Sequence, residues 1–144
     1  MQYIKPVHIR WSDLDVNAHL RHSVYYDWGA YCRIDFFFEH GLSTEKMQQL
    51  HIGPVLFREE CIFRKEIRQG DLVSINLELT KSRKDGSRFS VRHTIYKNNE
   101  MVAAILQLDG AWMDTTLRKL TRPPEWVCTI QNRMPKSDDF EWLT

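Results

Sequence analysis

The fold class that the sequence predicts is α+β: one antiparallel sheet carrying one long helix. Three patterns predict it. Residues 23–40, SVYYDWGAYCRIDFFFEH, place apolar side chains at helical spacing. Residues 71–83, 87–97 and 101–114 alternate apolar and polar side chains, the period of a half-buried strand. Asp85-Gly86 and Asn98-Asn99 separate those three runs, and such dipeptides close tight hairpins, so the runs form a meander.

The elements follow in order. A strand is expected over 3–11, where Val7, Ile9 and Trp11 share one face and His8 and Arg10 the other, with Pro6 limiting its start. The polar loop SDLDVNAHLRH comes next. In the long helix, Val24, Trp28, Tyr31 and Asp35 form one row and Tyr25, Trp28, Cys32 and Phe36 its neighbour. So wide an apolar arc predicts burial on more than one side. Ser23 is placed to cap the start and Gly41 to end it. Gly29 in mid-helix costs about 1 kcal/mol relative to Ala, which close approach of another backbone explains. Ser43 caps a short second helix reaching Leu50. A long strand run covers 54–68. In the run 71–83, Val73, Ile75, Leu77 and Leu79 form the apolar face. The sheet is therefore five-stranded and antiparallel. Residues 116–144, with Pro123, Pro124 and Pro135, read as a C-terminal extension packed on a single domain spanning 1–144. Phe140 and Trp142 are its candidates for a partner surface.

Composition bounds the function. A chain of 144 residues suits one domain, and 42% hydrophobic against 27% charged residues excludes global disorder. Lys and Arg number 20 and Asp and Glu 19, without the basic excess of a dedicated nucleic-acid binder. Cys32, Cys61 and Cys128 form no CxxC pair and no zinc pattern, which fits a reducing cytoplasm. No apolar run approaches the ~20 residues of a membrane span, and MQYIKPVHIRW lacks a signal-peptide core.

The loop from Asp13 to His22 carries the candidate chemistry. It holds two carboxylates, an amide and two imidazoles just before a helix start, where open backbone N–H groups suit a developing oxyanion. Asp15, Asn17, His19 and His22 supply a base, an orienter and donors for acyl transfer. Capping and turn formation account for the same residue types.

The stretch RWSDLDVNAHLRHSVYY resembles the N-terminal motif of hotdog-fold acyl thioesterases, in the 4-hydroxybenzoyl-CoA thioesterase and YbgC-like branch. The run Asp15-Val16-Asn17-Ala18-His19 is similar to the DxNxH segment of plant acyl-ACP thioesterases. TTLRKLTRPPEW is similar to the segment after the family's last strand, so the resemblance covers about residues 3–126. It implies a hotdog fold: a five-stranded antiparallel sheet wrapped around one long central helix, assembled as a homodimer or homotetramer with active sites at the interface. It implies hydrolysis of an acyl-CoA or acyl-ACP thioester, with no metal and no cofactor beyond the thioester itself. Asp15 matches the catalytic carboxylate, as general base or nucleophile. Asn17 and His19 match supporting residues. His22 matches the oxyanion position, although Arg21-His22 stands where the family has an Asn pair. Tyr25 matches the aromatic that follows.

FREECIF resembles the Arg-Arg-Glu-Cys run of acyl-ACP thioesterases and points to Glu60 at the substrate. Strand alternation instead buries Glu59, and a β-bulge would reconcile the two. Lys81, Arg83, Lys84 and Arg88 flank a hairpin turn; Arg83 and Arg88 are candidates for the phosphates of CoA or an acidic carrier protein, and a solvated hairpin tip explains them equally. Tyr26, Trp28, Phe36, Phe37 and Phe38 are candidates for an acyl pocket or for the core. Cys32, His8, His40, His51 and His93 are read as structural. A non-catalytic thioester-binding module and an enoyl-thioester hydratase are the alternatives on the same fold.

Overall fold

The computed structural model describes residues 2–144. Its strands are β1 (Ile4–Val7), β2 (Ile52–Phe63), β3 (Val73–Asn76), β4 (Glu78–Arg83), β5 (Arg88–Lys97), β6 (Met101–Asp114), β7 (Lys119–Leu120) and β8 (Lys136–Leu143). Its α-helices are α1 (His22–Glu39), α2 (Thr44–Leu50) and α3 (Glu125–Gln131). The long helix is therefore accompanied by two short ones, and eight strand segments stand where five strands were expected.

The meander forms as its turns dictate. Asn98 and Asn99 both take positive φ, 50° and 82°, within the three-residue turn 98–100 that joins Lys97 to its cross-strand partner Met101. Gly86 has φ +77° and its N–H closes the other turn on Arg83 O at 2.9 Å. Val73, Ile75, Leu77 and Leu79 are all buried, as the alternation predicts. After Leu79 the register shifts, and Ser82 rather than Lys81 turns inward. β5 pairs with β6 along its whole length, and β6 pairs with β2 from Ile52 to Phe63. β3 and β4 lie on the other side of β5. β2 has β6 as its one strand neighbour among the described residues, so it forms an open edge.

Helix α1 packs on the inner face of this sheet. Val24, Tyr25, Trp28, Cys32, Phe36 and Phe37 join Ile75, Ile95, Leu106 and Trp112 in one core. Tyr31, Ile34 and Phe38 remain exposed, so one chain alone does not bury α1 on more than one side. Its N-cap is Arg21 rather than Ser23, which instead accepts from Arg21 Nε at 3.0 Å. Ser43 caps α2 as expected, accepting from the Lys46 N–H at 3.1 Å.

Two ends differ from the sequence reading. The first strand stops at Val7 because the buried Asp13 carboxylate accepts from the Arg10 N–H at 2.9 Å and folds Trp11–Asp13 into a 3₁₀ turn. Hydrogen bonding to Arg10 holds that carboxyl below its usual range. The C-terminal extension contributes a helix and a sheet strand of its own. Gln131 accepts from the Trp112 indole N–H at 2.7 Å and donates to Gly86 O at 3.2 Å, which fastens α3 under the hairpin. β8 then adds to β4 in parallel.

Gly29 meets a side chain, not a backbone. A Cβ there would lie 3.3 Å from the His93 ring and 3.2 Å from the Arg33 guanidinium. His93 is fully buried, and burial followed by the Arg33 charge pushes its pKa down to about 3. Arg33 donates to its Nε2 at 3.0 Å, so the ring is neutral and Nδ1–H donates to Asn76 O at 2.7 Å. An unfolded histidine titrates near 6.5. Between the two values the unfolded chain holds a proton that the fold does not, so stability falls on acidification. Melts at pH 5 are expected to show about 2 kcal/mol less stability than at pH 7 from this group. His93→Gln, which can keep both hydrogen bonds, is expected to flatten that slope; an unchanged slope would assign it to other groups.

Candidate active site

Residues 13–21 form a tight loop before α1. The Asp15 N–H donates to His19 O at 2.8 Å, Ala18 turns through φ +60°, and its N–H donates to Asp15 O at 3.0 Å. The Asp15 carboxylate completes the turn: Oδ1 accepts from the N–H groups of Asn17 (2.8 Å) and His19 (3.1 Å). Its other oxygen, Oδ2, has no protein partner among the described residues. The turn-forming and the chemical readings thus fall on different oxygens of one side chain.

Asp15 is exposed, and it borders a pocket of about 360 Å³ together with His19, His22 and Tyr25. The far wall is Phe63 and the segment Arg64–Glu66. Leu20 and His19 tie the loop to this wall, through the Leu20 N–H on Ile67 O at 2.7 Å and a bridge to Arg68. Tyr25 sits edge-on to Phe63 at 4.9 Å, and burial pushes its phenol up to about 12, so it stays protonated at neutral pH. At the start of α1, Arg21 supplies no side-chain cap, and the Val24 N–H folds back on Arg21 O at 3.0 Å. The N–H groups of His22 and Ser23 have no protein acceptor among the described residues.

Other expected residues lie differently. The His19 ring pairs with Glu66, Nε2 to Oε2 at 3.1 Å, rather than with Asp15. Asn17 is exposed and outside the pocket lining. A bulge does interrupt β2 between Leu56 and Arg58. Beyond it Glu59 faces α1, 3.8 Å from Arg33, and Glu60 turns out to pair with Arg58 at 2.8 Å. Neither glutamate lines the Asp15 pocket. Arg83 and Arg88 border a separate pocket with Arg122, and Arg88 lies over the Phe57 ring at 5.0 Å. Arg88 opposes Ala111, across from Val55, whereas Phe63 opposes Ala104. The two basic residues are thus roughly 25 Å along the strands from the Asp15 pocket of the same chain. Of the aromatics, Trp28, Phe36 and Phe37 are core and Phe38 is exposed.

Arg64–Glu66 went unforeseen because the sequence reading runs the strand on to 68. The strand ends at Phe63, where the N–H groups of Arg64 and Lys65 both donate to Ala103 O, at 2.8 and 3.0 Å. The charge run RKEIR after an apolar stretch was the available signal.

A long helix held by a curled antiparallel sheet, with an acidic loop at the helix start, defines a thioesterase-like domain of the hotdog type. The chain belongs to the thioesterase-like superfamily, whose family pattern matches residues 9–130. Solved structures agree on the fold. A hypothetical protein from Staphylococcus aureus in complex with CoA is 17% identical with a TM-score of 0.86, over 100% of this chain and 89% of that one. A DHNA-CoA thioesterase from Staphylococcus aureus is 17% identical with a TM-score of 0.80, over 92% and 89%. A 1,4-dihydroxy-2-naphthoyl-CoA thioesterase from Synechocystis is 15% identical with a TM-score of 0.79, over 92% and 98%. No curated protein matches the chain. Among the described residues no helix is long and apolar enough to cross a membrane, and no group of three or more His, Cys, Asp or Glu could hold a metal ion.

Proposed function

We propose that the protein hydrolyses acyl-CoA thioesters, with Asp15 as the catalytic carboxylate. One observation carries this reading: Asp15 has one oxygen pinned by its own loop and the other without a protein partner among the described residues, and it lines the same pocket as His22 at the start of α1. Oδ2 takes a proton from water as the water oxygen adds to the thioester carbonyl. The His22 and Ser23 N–H groups steady the oxyanion. The C–S bond then breaks to release the acid and a thiolate, which leaves readily because its conjugate thiol has a pKa of about 8.5, and the proton held on Asp15 passes to it to give the thiol and restore the carboxylate. Direct attack by Asp15 through an anhydride is the variant of the same chemistry. His19, oriented by Glu66, and the Tyr25 hydroxyl line the approach, and Asn17 serves only through its backbone N–H on Asp15.

The protein acts as a homodimer or a tetramer of such dimers. The open β2 edge and exposed Leu56, Phe57, Ile62 and Phe63 supply a self-pairing surface. Twofold antiparallel pairing of two β2 edges carries the Arg88 end of one chain toward the Asp15 pocket of the other. Arg83 and Arg88 then serve the phosphates of CoA, the carrier favoured here over an acyl carrier protein by the CoA-bound neighbour. Glu60, paired with Arg58 on the same edge, borders the joined site. The three free thiols fit a cytoplasmic setting.

A thiol-release assay over a panel of acyl-CoAs tests the reading. Free thiol is expected. Loss of enoyl absorbance without thiol would instead make the protein a hydratase, and binding with neither a non-catalytic module.

A further inference from the structure

A third pocket opens on the inner face, between α1, the first half of β2 and β5. It is about 200 Å³ and is walled by Ile34 and Phe37 of α1, Pro54 and Leu56 of β2, Phe89 of β5 and Met134 before β8. One side chain in its lining is charged: Arg33, 12% exposed. A buried guanidinium needs partners for five N–H donors. Arg33 donates one to His93 Nε2, and Glu59 lies 3.8 Å away, an ion pair beyond hydrogen-bond reach. Its remaining donors have no hydrogen-bond partner among the described residues, and the other walls of the pocket that Arg33 lines are apolar.

We propose that this pocket receives the acyl group of the thioester and that Arg33 selects acyl groups carrying a neutral oxygen acceptor, a hydroxyl or keto group, at their far end. The proposal rests on the hydrolase reading above. Size sets the first limit: an apolar cavity of about 150 Å³ holds one benzene ring, so this one takes a single ring or a short chain. Charge sets the second. Glu59 already balances Arg33, so a terminal carboxylate would bring a net negative charge into an apolar pocket. A neutral acceptor uses the open donors without that cost. An unsubstituted chain leaves them unpaired, and a site built to hydrogen-bond a group rejects the analogue lacking it. Geometry sets the third. Leu56 and Phe63 are roughly 20 Å apart along β2, too far for a ring-sized group, so the pocket serves Asp15 of the partner across the twofold edge.

The test compares hexanoyl-, 6-hydroxyhexanoyl- and adipoyl-CoA with wild type, Arg33→Met and Ala30→Phe. Ala30 is an exposed lining residue, so the second variant fills the pocket and leaves Arg33 in place. Wild type is expected to favour the hydroxyacyl substrate in kcat/KM by tenfold or more over each of the others. Arg33→Met is expected to erase that preference, read within the variant as the ratio of kcat/KM for 6-hydroxyhexanoyl- over hexanoyl-CoA. Ala30→Phe is expected to weaken both six-carbon neutral substrates alike. Calorimetric binding of the non-hydrolysable thioethers hexyl-CoA and 6-hydroxyhexyl-CoA reads the pocket independently of chemistry. Hydrolysis without discrimination, or discrimination surviving in Arg33→Met, overturns the pocket proposal and leaves the hydrolase reading intact. Thioether discrimination without hydrolysis of any substrate does the reverse. Adipoyl-CoA as the best substrate would overturn the argument from Glu59.

Discussion

Asp15→Asn is expected to melt near the wild-type temperature and to lose at least ~100-fold in thioester turnover, the size of a lost general base. The two halves of the result come from the two oxygens. The asparagine carbonyl still accepts the N–H groups of Asn17 and His19, so the turn before α1 is kept. The amide NH₂ replaces Oδ2 and can neither take a proton from water nor attack a carbonyl. Asp15→Ala differs: it strips the acceptor from both N–H groups and is expected to cost about 1–2 kcal/mol of stability as well as activity. A fully active Asp15→Asn enzyme would reduce Asp15 to a loop former.

Ile62→Lys is expected to yield a folded monomer that hydrolyses acyl-CoA at least ~100-fold more slowly, because orientation of the substrate by the second chain is lost. Ile62 is 44% exposed on β2, so a lysine there finds solvent in the isolated chain. In a joined sheet the same charge sits against apolar Leu56 and Phe57 from the other edge, and an edge lysine is a standard block to strand pairing. Light scattering gives the readout: 17.2 kDa for the variant against a multiple of that mass for wild type. A wild-type monomer with full activity would remove the shared site and with it the roles given to Arg83 and Arg88.

The elements that face one solvent and one core side were legible, because their alternation is the trace of burial itself. Val73 to Leu79 and the Asn98-Asn99 turn are of this kind. The bulges after Leu56 and Leu79 were harder to place: one extra residue re-aims a strand without altering its composition, so Leu56 before the bulge and Glu59 beyond it face the same side, whereas alternation alone pairs Glu59 with Val55 and Phe57. β8 was hidden because its DDFEW pattern is short and it pairs in parallel with a strand more than 50 residues earlier. Asp15 was legible as a residue type in a helix-entry loop; that one oxygen builds the loop and the other stays free is a matter of three dimensions. The Arg64–Glu66 wall and the Arg33–His93–Glu59 cluster join segments that only the tertiary fold brings together.

The most direct measurement is a crystal structure with a ketone analogue, in which a methylene separates the CoA sulfur from an acyl carbonyl. The carbonyl carbon is expected within about 3.5 Å of Asp15 Oδ2 or of one water held by it, with its oxygen toward the His22 and Ser23 N–H groups. An analogue bound with its carbonyl away from that loop, and Asp15 touching nothing but its own turn, would contradict the assignment.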